Sequence, residues 1–211
     1  MTMRLRVRLG AIVLLALAAA GLWGAPVQGE IVYLDGEVTV DGRPAFEGQP
    51  VGRGSTISTG SDSSCEIRFG AENIIALRPG TTLTLELDAL QPGARLRSGA
   101  VASVLNKVSS FSPRGRFRIR TPSTVAGVRG TVFFVQVEDA ATTYVCVCNG
   151  EVGVAPLLGA AEPVAGSHHT ARRLTKSGLV TRSSAAPLLY HSDGDMDELA
   201  AKIGYAVPWG R

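Results

Sequence analysis

From Gly29 to about Thr181, apolar and polar residues alternate in short runs broken by glycine, proline, asparagine and aspartate, and no stretch sustains a 3.6-residue period. Alternation with period two marks half-buried strands, so the pattern predicts an all-β fold. Glu30 to Leu34 and Glu37 to Val40 flank Asp35-Gly36, while Tyr144 to Cys148 and Glu151 to Val154 flank Asn149-Gly150. Both dipeptides favour the left-handed conformations of a type I′ turn, which predicts two tight hairpins. Asp41-Gly42 marks a further reversal. Between Thr81 and Ser98, Leu83, Leu85 and Leu87 alternate with Thr84, Glu86 and Asp88, and Leu96 returns between Arg95 and Arg97 after a turn at Pro92-Gly93. A hairpin there buries the leucines and sets the two acids opposite the two arginines on the wet face.

Phe117 and Ile119, Val132 to Val137 and Tyr144 to Cys148 are rich in Val and aromatic residues and are expected to lie deepest. Val101 to Val108 fits either a strand or a helical turn. One helix is expected near the C-terminus, with Asp195 as its cap and Glu198 three residues on, with Met196, Leu199, Ala200 and Ile203 on one face, and with Gly204 as its stop. The predicted fold is a sandwich or solenoid-like arrangement of short antiparallel strands with one short C-terminal helix.

The chain opens with Arg4, Arg6 and Arg8, followed by an uncharged apolar run from Leu9 to Ala20 that Gly21, Leu22 and Trp23 extend. Basic start, short apolar middle and small residues after it make residues 1–25 an expected secretory signal, cut near Ala20 or around Ala25. An uncleaved inner-membrane anchor is the alternative, although the apolar run falls short of the roughly 20 residues that a spanning helix needs. The full chain has a formal charge of +3. Removing the three arginines with the signal leaves basic and acidic residues equal at 18 each. A neutral exported chain with 6% aromatic residues has neither the electrostatics nor the stacking platforms for nucleic acid. The expected location is therefore periplasmic or secreted, with membrane contact only through an uncleaved N-terminal segment.

Gly36-Glu37-Val38-Thr39-Val40, the run Gly54 to Ser64, Ile67-Arg68-Phe69 and Ile75 to Thr81 together resemble the FecR domain. So do Phe117 to Pro122, Val125 to Thr131 and Val135. The resemblance covers residues 29–155 and leaves 156–211 as a C-terminal extension with a loop, short strands and the helix. It implies a periplasmic β domain that senses a ligand or scaffolds an envelope protein. Regulators of this kind carry a cytoplasmic helical segment before their membrane helix. Only eight residues precede the apolar run here, so no contact with a cytoplasmic sigma factor is expected, and the partner is an envelope protein or a small ligand.

Cys146 and Cys148 are two apart on an expected strand, so both thiols share one face, with α-carbons roughly 6.6 Å apart. That separation is at the edge of disulfide geometry, and an ion bridging both sulfurs is easier to accommodate. His168 and His169 are adjacent and in a strand face opposite ways, so one of them can join the thiols. His191 can supply a further imidazole. Two thiolates with imidazoles suit zinc, and also copper or an iron or haem cofactor. A disulfide or redox dithiol, with Cys65 left over or paired to one of the two, and an incidental buried pair are the competing readings.

Arg116, Arg118 and Arg120 form, with Arg114, a row spaced by two, and Arg129 lies between Gly127 and Gly130. Such a row can bind an anion or pair with acids on neighbouring strands, and the planar fork of Arg129 also suits a structural role. Nucleophile elbows, phosphate loops and HExxH pairs are absent from the sequence, so an enzyme is not expected.

Overall fold

A computed structural model of the chain describes residues 28–88, 92–110, 112, 115–156 and 160–210. The expected export signal and Arg114 lie outside the described residues. The strands are β1 (Gly29–Asp35), β2 (Val38–Val40), β3 (Arg43–Pro44), β4 (Pro50–Val51), β5 (Thr56–Thr59), β6 (Ser64–Arg68), β7 (Asn73–Leu77) and β8 (Thr82–Glu86). They continue with β9 (Gly93–Leu105), β10 (Phe117–Arg120), β11 (Thr124–Val128), β12 (Thr131–Val137), β13 (Thr142–Pro156), β14 (Glu162–Gly166), β15 (Thr170–Ser177) and β16 (Val180–Ala186). A single α-helix among the described residues, α1 (Asp193–Ala201), follows.

The fold is all-β, a sandwich of two sheets. One runs β16-β15-β13-β12-β9-β7-β6-β1-β4. The other runs β3-β2-β5-β8-β9-β10-β11-β13-β14. Neighbours are antiparallel except β9 with β10. The long strands β9 and β13 belong to both sheets and turn the corner between them at Gly99 (φ 77°) and Gly150 (φ 109°). A Cβ at Gly99 would collide with Thr81, and one at Gly150 would come 2.5 Å from a Thr131 methyl. Only glycine takes the left-handed bend at such close quarters.

Period-two alternation explains two apolar layers rather than one. Ile75, Leu77, Phe133, Val135, Val145 and Val147 face inward and meet Leu83, Leu96, Phe117, Ile119 and Val128 of the second sheet. Their neighbours Ile74, Ala76, Val132, Phe134, Tyr144, Cys146 and Cys148 face outward, yet are also buried, because α1 and the segment around it lie over them. Full burial of such a side chain contributes about 1.5 to 3 kcal/mol. Met196, Leu199 and Ala200 are the buried side of α1.

Several expectations need correction. Asp35-Gly36 and Asn149-Gly150 do not make hairpins: β1 and β2 lie in different sheets, and β13 runs straight through 149–150. A type I′ turn needs two residues with positive φ, and at these sites only the glycine has it. At Asp41-Gly42 both do (52° and 76°), and β2 and β3 pair across a true hairpin. The leucine hairpin forms as β8 and β9, with Glu86 bonded to Arg95 at 2.6 Å, but Asp88 pairs with Arg53 rather than Arg97. The region from Val101 resolves as strand up to Leu105. The helix cap is Ser192, not Asp195: Asp195 is the third residue of a capping box, returning its carboxylate to the Ser192 amide at 2.8 Å. Beyond residue 156 the chain joins both sheets, β14 pairing β13 in one and β15 pairing it in the other.

Gly150→Ala is expected to cost about 2 to 4 kcal/mol, because backbone strain and a steric clash act together. Gly42→Ala, with no atom near its Cβ position, should cost about 1 to 2 kcal/mol. Urea unfolding of both variants measures the difference, and equal losses would contradict the corner assignment.

Candidate metal centre

The outward side chains of β13 present Tyr144, Cys146 and Cys148 in one line, all fully buried. Their cover comes from two later segments. The turn between β14 and β15 brings His169 over Cys146, with the His169 amide donating to the Cys148 carbonyl at 3.2 Å. The segment between β16 and α1 brings His191 over Cys148. His169 has φ 52° and Tyr190, next to His191, has φ 68°. Bulky residues seldom adopt this backbone, and such strain concentrates where a side chain must be held in one place. It also corrects the expected strand geometry of His168 and His169, whose rings lie side by side with centroids 5.0 Å apart.

Cys146 Sγ lies 3.5 Å from His169 Nδ1, and Cys148 Sγ lies 3.3 Å from His191 Nε2. The four donor atoms are all within 4.8 Å of one another. A tetrahedral zinc with Zn–S of about 2.3 Å and Zn–N of about 2.0 to 2.1 Å requires sulfur–nitrogen edges of roughly 3.5 Å.

The far nitrogen of each imidazole is also held. His191 Nδ1 donates to the Leu189 carbonyl at 2.9 Å, which fixes the tautomer and leaves the Nε2 lone pair directed at the thiols. His169 Nε2 meets Asp193 Oδ1 at 2.5 Å, leaving Nδ1 as the free donor. A carboxylate or carbonyl behind a histidine is the usual outer support of a ligating imidazole. Phe134 stacks on His191 at 4.5 Å and Trp209 on His169 at 5.2 Å, so each ring is packed on one face by an aromatic side chain.

The charges are coupled. Hydrogen bonding from Cys148 draws the Cys146 thiol well below its ordinary value, against the opposing effect of burial, with His191 and His169 assisting. The same interaction, together with burial, raises Cys148. The Asp193 carboxyl is lowered by His169 first and His168 second. Such a site supports a thiolate at neutral pH, the form that binds metal.

Residues 55–153 match the family described as FecR protein. Over these residues the chain is FecR-like. Two crystal structures of a candidate anti-sigma factor from Parabacteroides distasonis ATCC 8503 share its fold, each with a TM-score of 0.50 and 14% identity over 62% of this chain. The chain spans 59% of the length of that neighbour. No curated protein matches. Both thiols fall inside the FecR match, and both imidazoles fall in the extension beyond it.

His168 is not among the four convergent donors. It is exposed and shares Asp193 with His169, at 2.9 Å. Cys65 pairs with neither thiol, because it lies on the inward face of the same sheet; its thiol is pushed up to about 12, by burial first and by Glu66 second. All three cysteines are free. Arg116, Arg118 and Arg120 lie on the second sheet, away from the thiols, with Arg120 at 3.5 Å from Glu86. Arg129 is exposed.

The first sheet also anchors the His191 segment through residues that no sequence motif marks. Tyr144 donates its hydroxyl to the Pro187 carbonyl at 3.1 Å and accepts from the Leu189 amide at 3.0 Å. Glu138 accepts two bonds from Arg173, at 2.6 and 2.7 Å, and one from Tyr190 at 2.7 Å. Of the surrounding group, Asp193 stands two residues after His191 in the sequence, while Trp209 and Leu189 carry no motif.

Arg173 first, and Tyr190 with it, hold the Glu138 carboxyl below its ordinary 4.5. A carboxyl lowered in the folded state stabilises above the unfolded value and loses that contribution as pH falls through the folded one. Glu138→Gln should therefore be less stable than the parent at neutral pH and lose less stability between about pH 5 and pH 3. Chemical denaturation across that range checks it, and parallel pH curves would contradict it.

Proposed function

We propose that this chain is an exported FecR domain of the cell envelope that binds or scaffolds a partner rather than catalysing a reaction, and that one zinc ion fastens its C-terminal extension across the outer face of the sheet. Cys146, Cys148, His169 and His191 would be the ligands. The observation carrying this reading is the pair of sulfur–nitrogen distances, 3.5 and 3.3 Å, at tetrahedral spacing with both histidine tautomers fixed. Convergence of four donors on one point, with aromatic rings packed against both imidazoles, favours a single small ion over a macrocycle such as haem. Two thiolates and two imidazoles form a closed set of the structural kind, without an open position for a substrate. Copper competes for such ligands, and softness alone does not decide between the two metals.

The ligands come from the family domain and from the extension, so the ion would join two segments far apart in sequence. His191 is tied directly to the segment that leads into α1. Loss of the ion would loosen that segment from the apolar face it covers.

Protein purified from the periplasm should carry one zinc per chain by elemental analysis. Cys148→Ser should reduce the content to about a tenth or less, and Asp193→Asn should weaken affinity roughly 10- to 100-fold. Trp209 stacks on His169, so chelation should change its fluorescence and lower the melting temperature together. A metal-free native protein with a Cys146–Cys148 disulfide, or unchanged zinc in the Cys148→Ser variant, would overturn the reading.

A further inference from the structure

A second site lies on the other sheet, on the outward face formed by β10, β11 and the second half of β13. Cross-strand register places Arg118 beside Gly127 and Gly127 beside Gly153. Neither glycine has a positive φ. A Cβ on Gly127 would have its nearest neighbour at 3.6 Å, and one on Gly153 at 3.7 Å, both ordinary contacts. The fold thus has room for larger residues at two adjacent strand positions where glycine is unfavourable. Glycine in a strand interior without a backbone need marks a place where something else approaches the backbone closely.

The space over these glycines is a trough of about 560 Å³, in the size range of small-molecule sites. Arg116, Arg118, Arg120 and Arg129 line it. One acid, Glu151, also lines it, and Arg120 is partly committed to Glu86. Among the described residues Arg116 and Arg129 form no ion pair with a carboxylate. Alternate residues on a strand repeat at roughly 6.6 Å, so the β10 arginines present successive guanidinium forks along one wall. A planar fork binds phosphate and carboxylate groups through two parallel hydrogen bonds.

We infer that this trough binds a polyanion carrying two or more phosphate or carboxylate groups, lying over Gly127 and Gly153 with its charges on the arginine wall. The site is independent of the metal centre, which sits on the first sheet, and stands or falls separately from it. The shared oxyanion chemistry could be presented by a free small molecule or by a lipid headgroup.

Two variants of the metal-replete protein separate charge from shape. Arg116→Gln with Arg129→Gln removes two forks. Gly127→Val fills the floor while leaving every charge in place, and a β-branched residue suits a strand, so it should fold. Calorimetric titration with tripolyphosphate and with benzene-1,2,4,5-tetracarboxylate, alongside sedimentation with phosphatidylglycerol vesicles, tests both sources. The parent protein should bind at least one soluble probe, with affinity falling as salt rises. Both variants should bind about tenfold or more weakly, with circular dichroism and zinc content unchanged. Binding confined to vesicles, and lost in both variants, assigns the trough to a lipid headgroup. No binding to any probe, or parental affinity in Gly127→Val, overturns the inference.

Discussion

An apolar sheet face cannot be left against water, and this protein has one more such face than a simple sandwich buries. Ile74, Ala76, Ala102, Val132, Phe134 and Tyr144 point away from the second sheet, yet are almost completely inaccessible. What covers them is the stretch from Pro187 to Trp209, including a helix of nine residues. A helix that short is marginal on its own and depends on the surface beneath it. Sheet and extension therefore stabilise one another.

Cys146 and Cys148 sit in the middle of that dependence. They occupy outward positions on β13, as Tyr144 does, and the same alternation that buries Val145 and Val147 on the inside delivers the thiols to the extension. Tyr144 and Glu138 bind the backbone and the tyrosine next to His191, and Asp193 orients His169 just as the chain enters α1. Covering the apolar face and assembling four donor atoms are thus one structural event. The FecR-like region carries the two thiols and the segment beyond it carries the two imidazoles.

The all-β class, the deep strands and the shared face of the thiols were legible from period-two alternation, which depends only on backbone geometry. The convergence of Cys146 and Cys148 with His191 was legible as residue types but not as distances, because His191 lies 43 positions beyond Cys148 and no spacing rule spans such a gap. Asn149-Gly150 misled for a definite reason: a glycine that favours positive φ serves a corner between sheets as well as a hairpin, and tertiary packing decides which. Ser192 was passed over as a cap in favour of Asp195, although serine followed three residues on by an acid is itself a capping pattern. The glycine floor beside the arginine row was invisible in sequence, since Gly127 and Gly153 become neighbours only through the register of β11 with β13.

In the proposed centre two sulfurs and two imidazoles hold one ion against the outer sheet face. X-ray absorption at the zinc edge of protein isolated without added metal measures that coordination directly. Two sulfur ligands at about 2.3 Å and two nitrogen ligands at about 2.0 to 2.1 Å are expected. A shell of oxygen and nitrogen alone, or no zinc with both thiols oxidised, would contradict it.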